Sequence, residues 1–128
     1  MHYLNIARYL CTAGGGLEDT YNLAQLHVHW GNTSQVGSEH LLAGKAFPLE
    51  LHLVHYNSKY SDISEAVGHA DGLAVVGVLH HLSAEDSPSL QPLIESAKKV
   101  KRAKEVTGLE QGITMDSLLP SQPSLFYR

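Results

Sequence analysis

Alternating apolar and polar residues mark the strands of this chain. Gln25-Leu-His-Val-His29 alternates residue by residue, and Glu50-Leu-His-Leu-Val54 has the same pattern. Successive side chains of a strand point to opposite faces, so each run has one polar and one apolar face. We predict strands over residues 21–30, 49–56 and 73–79, the last as a continuous apolar run.

Helical spacing is found in a later segment, where apolar residues recur at intervals of three and four: Leu90, Leu93, Ile94, Ala97 and Val100. This predicts a helix over residues 89–106, and a short helical piece is expected over residues 63–67. The turn-forming residues of the segment 31–44 predict a turn-rich hairpin region. Residues 108–128 are expected to be mostly loop.

Composition favours one globular domain and decides little more. The chain has 128 residues, of which 43% are hydrophobic and 17% charged. Its net charge of −4 argues against nucleic acid as a partner. The basic run from Lys98 to Lys104 falls near the C-terminal end of the predicted helix, where the helix dipole favours cations. No apolar run is long enough for a membrane span, and the single cysteine excludes an internal disulfide.

Three histidines are the best candidates for chemistry. His27 and His29 lie on one face of the first predicted strand, about 7 Å apart along it. A neighbouring strand could bring His52 beside them. Three neutral imidazoles with one position left for water form the open tetrahedral site of a catalytic zinc. The pattern therefore predicts a zinc site.

Two other interpretations compete with zinc. An isolated His-x-His pair is more often an ordinary polar pair on a strand face than a metal site. A cupin-type barrel also uses His-x-His followed by a glutamate and a later histidine, so Glu39 would be a ligand of iron or manganese. However, the spacing from His27 to Glu39 is longer than is usual in cupins. Nor does a cupin explain Trp30-Gly31.

The chain resembles the middle of an α-class carbonic anhydrase. The resemblance rests on four motifs in the family's order: Gln25-Leu-His-Val-His-Trp-Gly31, Gly37-Ser-Glu-His40, Glu50-Leu-His-Leu-Val-His55 and Asp71-Gly-Leu-Ala-Val-Val-Gly77. It implies a mainly β (α+β) fold, the central part of a large, mainly antiparallel twisted sheet with peripheral helices. Residues 1–128 would form a single incomplete domain, with the family-like region at about 14–128.

The resemblance also implies an activity, the zinc-dependent reversible hydration of carbon dioxide to bicarbonate. The zinc ligands would be the three histidines already singled out. Gln25 and Glu50 would accept hydrogen bonds from ligand histidines, and His40 would belong to a buried network with Glu50. Glu39 would orient a threonine hydroxyl, in a segment that the family places beyond Arg128.

The substrate pocket follows from the same resemblance. Val54 and Val75 would form the apolar floor on which carbon dioxide rests, and Ile63 and Val67 would line a variable rim. Carbon dioxide is small and uncharged, so an apolar wall beside the metal suits it.

Several expectations concern the chain as a whole. One alternative is a zinc-binding but catalytically inactive truncated form; the other is an interaction domain of the carbonic-anhydrase-related kind. Little hydratase activity is expected of this chain alone, and exposed sheet edges are expected to favour self-association. No signal peptide is predicted, and the compartment stays open. The run Tyr56-Asn-Ser-Lys-Tyr60 resembles secreted members of the family.

Overall fold

The molecule is built on a six-stranded, mainly antiparallel sheet. The computed structural model describes residues 2–5, 11–99, 106–108 and 113–120. The strands are β1 (His2–Asn5), β2 (Cys11–Gly14), β3 (Leu17–Trp30), β4 (Leu49–Asn57), β5 (Leu73–His80) and β6 (Val106–Gly108). Their order is β5-β4-β3-β1-β6, and β2 also pairs with β3. The pair β1 and β6 is parallel, whereas the other pairs are antiparallel.

The predicted strands are confirmed as β3, β4 and β5, and β3 begins earlier than expected, at Leu17. The sequence did not indicate β1 or β2. Val106 was predicted to end a helix and instead begins β6, paired with Tyr3 of β1. Strand pairing between distant segments overrides a local preference in such a short element.

One face of the central strands packs into the core. Leu26 and Val28 of β3 and Leu51 and Leu53 of β4 are all buried there. The core is completed by residues of β5 and of the helical segments: Val78, Leu93 and Leu118. The opposite face of the same strands therefore carries the alternate, polar residues.

A register shift between Leu23 and Gln25 determines which residues share each face. Leu23 pairs with His55, whereas Gln25 pairs with Val54. The extra residue in β3 allows Leu23 to join the core while Gln25 faces the other side, although the two are only two positions apart.

Short helices flank the sheet. The predicted piece at 63–67 is confirmed as α1 (Ile63–Ala66), which begins where the Asp62 carboxylate accepts a hydrogen bond from the Glu65 backbone N–H at 2.9 Å. The helix predicted over residues 89–106 is shorter in the structure. A 3-10 turn (Pro88–Leu90) leads into α2, which covers Gln91–Ala97. Residues 100–105 lie outside the described residues, and so does most of the basic run.

The last helix was not predicted. α3 (Met115–Leu118) lies within the segment expected to be mostly loop, and Thr114 and Ser117 form a capping box at its start. Among the described residues, no helix has the length and apolar character that crossing a membrane requires.

Candidate metal centre

Three histidine rings converge on the polar face of the sheet. His27 on β3 lies directly opposite His52 on β4, and His29 follows His27 by two positions. The ring centroids are 4.7 to 5.0 Å apart. Their nitrogens lie close enough together to hold one metal ion. Strand alternation and the β3–β4 register together build this cluster.

Neighbouring side chains set the orientation of two of these rings. Gln25 Oε1 is 2.9 Å from His27 Nδ1, so this nitrogen carries the proton and donates it. Glu50 Oε1 is 2.7 Å from His52 Nε2, which donates in the same way. In the neutral rings, His27 Nε2 and His52 Nδ1 are then both acceptors.

Those two acceptors face each other at 3.2 Å. Two lone pairs at this distance repel unless a cation lies between them. In a tetrahedral zinc site with bonds of about 2.0 to 2.1 Å, neighbouring ligand atoms are about 3.3 Å apart. The third histidine adds a buried nitrogen, His29 Nε2, which has no hydrogen-bond partner among the described residues. The donor set therefore fits a metal ion.

His27 and His29 are held in the neutral form that metal binding needs. Burial, with the nearby His52 and His29, lowers the pKa of His27 to about 4. Burial also lowers the pKa of His29, although the Glu39 carboxylate opposes this shift. Neutral rings leave their nitrogen lone pairs available near pH 7.

Glu50 is a buried carboxylate, only 1% exposed, behind the histidines. It accepts hydrogen bonds from the backbone N–H of His40 at 2.9 Å, from His40 Nδ1 at 2.6 Å and from His52 Nε2 at 2.7 Å. Burial alone would raise the pKa of Glu50, but these hydrogen bonds lower it to about 2. Glu50 is therefore a permanent negative charge behind His52.

His40, Glu50 and His52 could also be viewed as a second group of metal ligands. However, the contacts of 2.6 and 2.7 Å that Glu50 makes with His40 and His52 have the length of charge-assisted hydrogen bonds. Ligand atoms that share one zinc ion lie farther apart, at about 3.3 Å. We therefore interpret the group as a hydrogen-bond network.

Gly77 is a site residue whose role the sequence did not indicate. It lies opposite His52 on β5, and a Cβ atom there would be 2.9 Å from Glu50 Oε1. Only glycine leaves room for the carboxylate in this position. Its place at the end of the Asp71–Gly77 motif was the available signal.

The loop that carries Glu39 and His40 is fixed against the start of β4. Ser38 exchanges two hydrogen bonds with Phe47, donating from its backbone N–H to the Phe47 carbonyl and accepting the Phe47 N–H on its hydroxyl, both at 2.9 Å. At Gly37, a Cβ atom would approach the Pro48 carbonyl oxygen to 2.1 Å. The Gly-Ser pair thus brings Glu39 and His40 to the histidines.

Glu39 itself reaches the histidine cluster. Its Oε2 is 3.3 Å from His29 Nε2 and 3.8 Å from His52 Nδ1. The Glu39 side chain is 53% exposed, in contrast to the buried Glu50. His40 is also exposed, although its ring and backbone both donate to Glu50.

The apolar residues predicted for the pocket are only partly brought together. Val54 is buried and pairs directly with Val75 of β5, which is 52% exposed. Val54 also follows His52 by two positions, so both valines lie on the histidine face. Ile63 begins α1 and is half-buried, while Val67, just after α1, is 64% exposed.

The chain is similar in sequence to one known family of proteins. The sequence profile of the family described as eukaryotic-type carbonic anhydrase matches residues 3–128 of this chain. A relative from Mus musculus, "Carbonic anhydrase 1", is 51% identical over 89 residues. These residues make up 69% of this chain and 34% of the mouse protein, so the match covers about a third of the relative's length.

Proposed function

Since this chain belongs to the eukaryotic-type carbonic anhydrase family, we propose that His27, His29 and His52 hold one Zn²⁺ for the reversible hydration of carbon dioxide to bicarbonate and a proton. The observation that carries the proposal is the 3.2 Å contact between two ring nitrogens, His27 Nε2 and His52 Nδ1, that both face inward as acceptors. A cation between them removes their repulsion.

The side chains of the site would have separate roles in this reaction. When bound, zinc supplies a hydroxide nucleophile near neutral pH, as is established for carbonic anhydrases. Glu50 and Gln25 hold His52 and His27 with a ring nitrogen aimed at the ion. Val54 and Val75 offer the paired apolar surface for carbon dioxide, with Ile63 and Val67 toward its rim.

The role proposed for Glu39 rests on the family resemblance. Its carboxylate would accept a hydrogen bond from a hydroxyl beside the metal site and so orient the attacking oxygen. His40 would keep Glu50 in place through its two hydrogen bonds, at 2.9 and 2.6 Å.

A second candidate is a domain that binds zinc without turnover. The observation that favours it is the direct approach of Glu39 to His29 and His52, which places a carboxylate where water would enter. Such a protein would be an inactive form of the enzyme or an interaction domain. Stoichiometric zinc without any hydration of carbon dioxide would identify this candidate.

Metal analysis and stopped-flow hydration test the proposal together. We expect one zinc per chain, lost in His52→Ala and retained in His69→Ala. His69 is the matched control because it is an exposed histidine that stacks on the Tyr60 ring and does not belong to the histidine cluster. Stoichiometric iron or manganese instead of zinc, or full zinc retention in His52→Ala, would contradict the proposed site.

We also propose that the chain self-associates through β5. In the described part of the sheet, β5 is an outermost strand, and its Leu73 and Val75 are exposed. An unpaired strand edge with apolar side chains is a template for pairing with a second copy. Sedimentation should give a concentration-dependent mass, and Val75→Pro should reduce it, because in this register the Val75 N–H points away from β4 toward the free edge and proline removes it. A concentration-independent monomer would contradict this proposal.

A further inference from the structure

An asparagine followed by two hydroxyl residues stands just after the strand that carries His27 and His29. The segment reads Asn32-Thr-Ser34, and β3 ends at Trp30. This is the pattern Asn-x-Ser/Thr, with x other than proline, which is the acceptor sequence for an N-linked oligosaccharide. The chain has four asparagines, and only Asn32 has a serine or a threonine two positions later.

The acceptor sequence lies on the surface of the protein. Asn32, Thr33 and Ser34 are all exposed, and so are Gln35 and Val36. These residues form bends and a turn outside the strands of the sheet. A transferase can therefore enclose them without breaking the hydrogen bonds of a strand ladder, as is usual for loops that carry modifications.

Close backbone contacts hold the two ends of this loop together. A Cβ atom at Gly31 would lie 2.0 Å from the Val36 carbonyl oxygen, and one at Gly37 would lie 2.7 Å from the Gly31 backbone nitrogen. Only glycine permits such an approach of two backbone segments. The residues between the two glycines therefore form a closed surface loop that presents Asn32 to solvent.

The two side chains that the modification requires are available. Among the described residues, neither the Asn32 amide nor the Ser34 hydroxyl makes a hydrogen bond. Asn57 shows the contrast, since it is buried and its amide donates to a carboxylate at 2.8 Å and to a backbone carbonyl at 3.2 Å. Asn32 can thus offer its amide nitrogen, and Ser34 its hydroxyl, to a transferase.

From this sequence and its exposure we propose that Asn32 is the attachment site of an N-linked glycan, acquired as the protein passes through the secretory pathway. The donor is an oligosaccharide linked to a polyprenyl diphosphate. The Asn32 amide nitrogen forms a bond to the anomeric carbon of the first sugar and loses one proton, while the bond from that carbon to the diphosphate breaks. The lipid diphosphate is the leaving group, and nothing is oxidised or reduced.

Translation of the full chain behind a cleavable signal peptide, in the presence of endoplasmic-reticulum microsomes, tests this site. A second acceptor sequence appended after Arg128 reports that a chain has reached the lumen and met the transferase, and only chains with this reporter glycan are scored. We expect them to carry one further glycan. Peptide-N-glycosidase should remove it and convert Asn32 to aspartate, which peptide mass spectrometry detects. Scored chains without the further glycan would overturn the proposal.

Substitutions within the loop assign the glycan to Asn32. Asn32→Gln and Ser34→Ala should each lose it, whereas Ser34→Thr keeps the hydroxyl and should retain it. The matched control is Thr33→Ala, which removes a hydroxyl from the middle position and should also retain the glycan. A glycan that persists in Asn32→Gln, or that is lost equally in Thr33→Ala and Ser34→Ala, would contradict the assignment.

The inference is independent of the proposed zinc site. None of the three residues of the acceptor sequence belongs to the histidine cluster. His52→Ala should therefore keep the glycan while it loses zinc, and Asn32→Gln should lose the glycan while it keeps zinc. Loss of the glycan in His52→Ala would contradict the independence of the two sites.

Discussion

Replacement of Glu50 by glutamine tests whether the buried carboxylate orients His52 in the proposed metal centre. Glu50 accepts three hydrogen bonds, two from His40 and one from His52. A glutamine side chain has one oxygen and one NH₂ group. If its oxygen serves the rings of His40 and His52, its NH₂ group faces the His40 backbone N–H, and two donors meet. If it is reversed, the NH₂ group faces His52 Nε2.

In the reversed orientation the His52 ring can no longer donate from Nε2. Its proton then moves to Nδ1, the nitrogen that faces His27 at 3.2 Å, and this nitrogen stops being a metal ligand. Hydrogen bonds to charged groups contribute about 1.5 to 3 kcal/mol each. Losing one of them on His52 corresponds to a zinc affinity lower by about 10- to 100-fold, the usual effect of removing such a partner.

Chelator competition at pH 7 measures this change. The matched control is Glu65→Gln, which makes the same substitution at an exposed position at the α1 terminus, where Glu65 accepts hydrogen bonds from Ser61. We expect Glu65→Gln to keep the zinc affinity of the unchanged chain. Equal affinities of Glu50→Gln and Glu65→Gln for zinc would show that the buried charge does not support the site.

Three further predictions concern the same face of the sheet. Gly77→Ala places a Cβ atom 2.9 Å from Glu50 Oε1 and should lower zinc affinity in chelator competition, whereas Gly68→Ala, with its nearest atom at 3.5 Å, should not. In a chain extended to the full length of the family domain, Val75→Tyr should leave zinc stoichiometry unchanged in metal analysis while reducing carbon dioxide hydration, and unchanged hydration would remove Val75 from the pocket. Burial lowers the pKa of His27 from 6.5 to about 4, so between these values the unfolded chain binds a proton that the native chain does not. Urea unfolding of the metal-free chain should therefore show about 2 kcal/mol less stability at pH 5 than at pH 7, and no loss would contradict the buried, neutral His27.

Much of the candidate metal centre can be predicted from local sequence. Alternation along a strand is enough to place Gln25, His27 and His29 on one face, because the direction of each side chain depends only on its position in the strand. The same rule places Glu50, His52 and Val54 together on β4. The start of α1 and its capping by Asp62 are equally local.

The pairing of segments was decided by the tertiary structure alone. Alternation would put Leu23 on the histidine face, yet the register shift beside it turns Leu23 into the core. Such a shift depends on hydrogen bonds between two strands, and a single strand contains no record of it. The strand that begins at Val106 likewise depends on pairing with a distant segment, because its partner is β1.

The direction of the Glu39 side chain also needed the three-dimensional structure. From the sequence, Glu39 was a candidate ligand in a cupin and an orienting residue in a carbonic anhydrase. Its approach to His29 and His52 results from a loop held between Phe47 and Pro48, far from any strand periodicity. Periodicity determines which face a strand residue occupies, whereas contacts between distant segments determine what a loop residue touches.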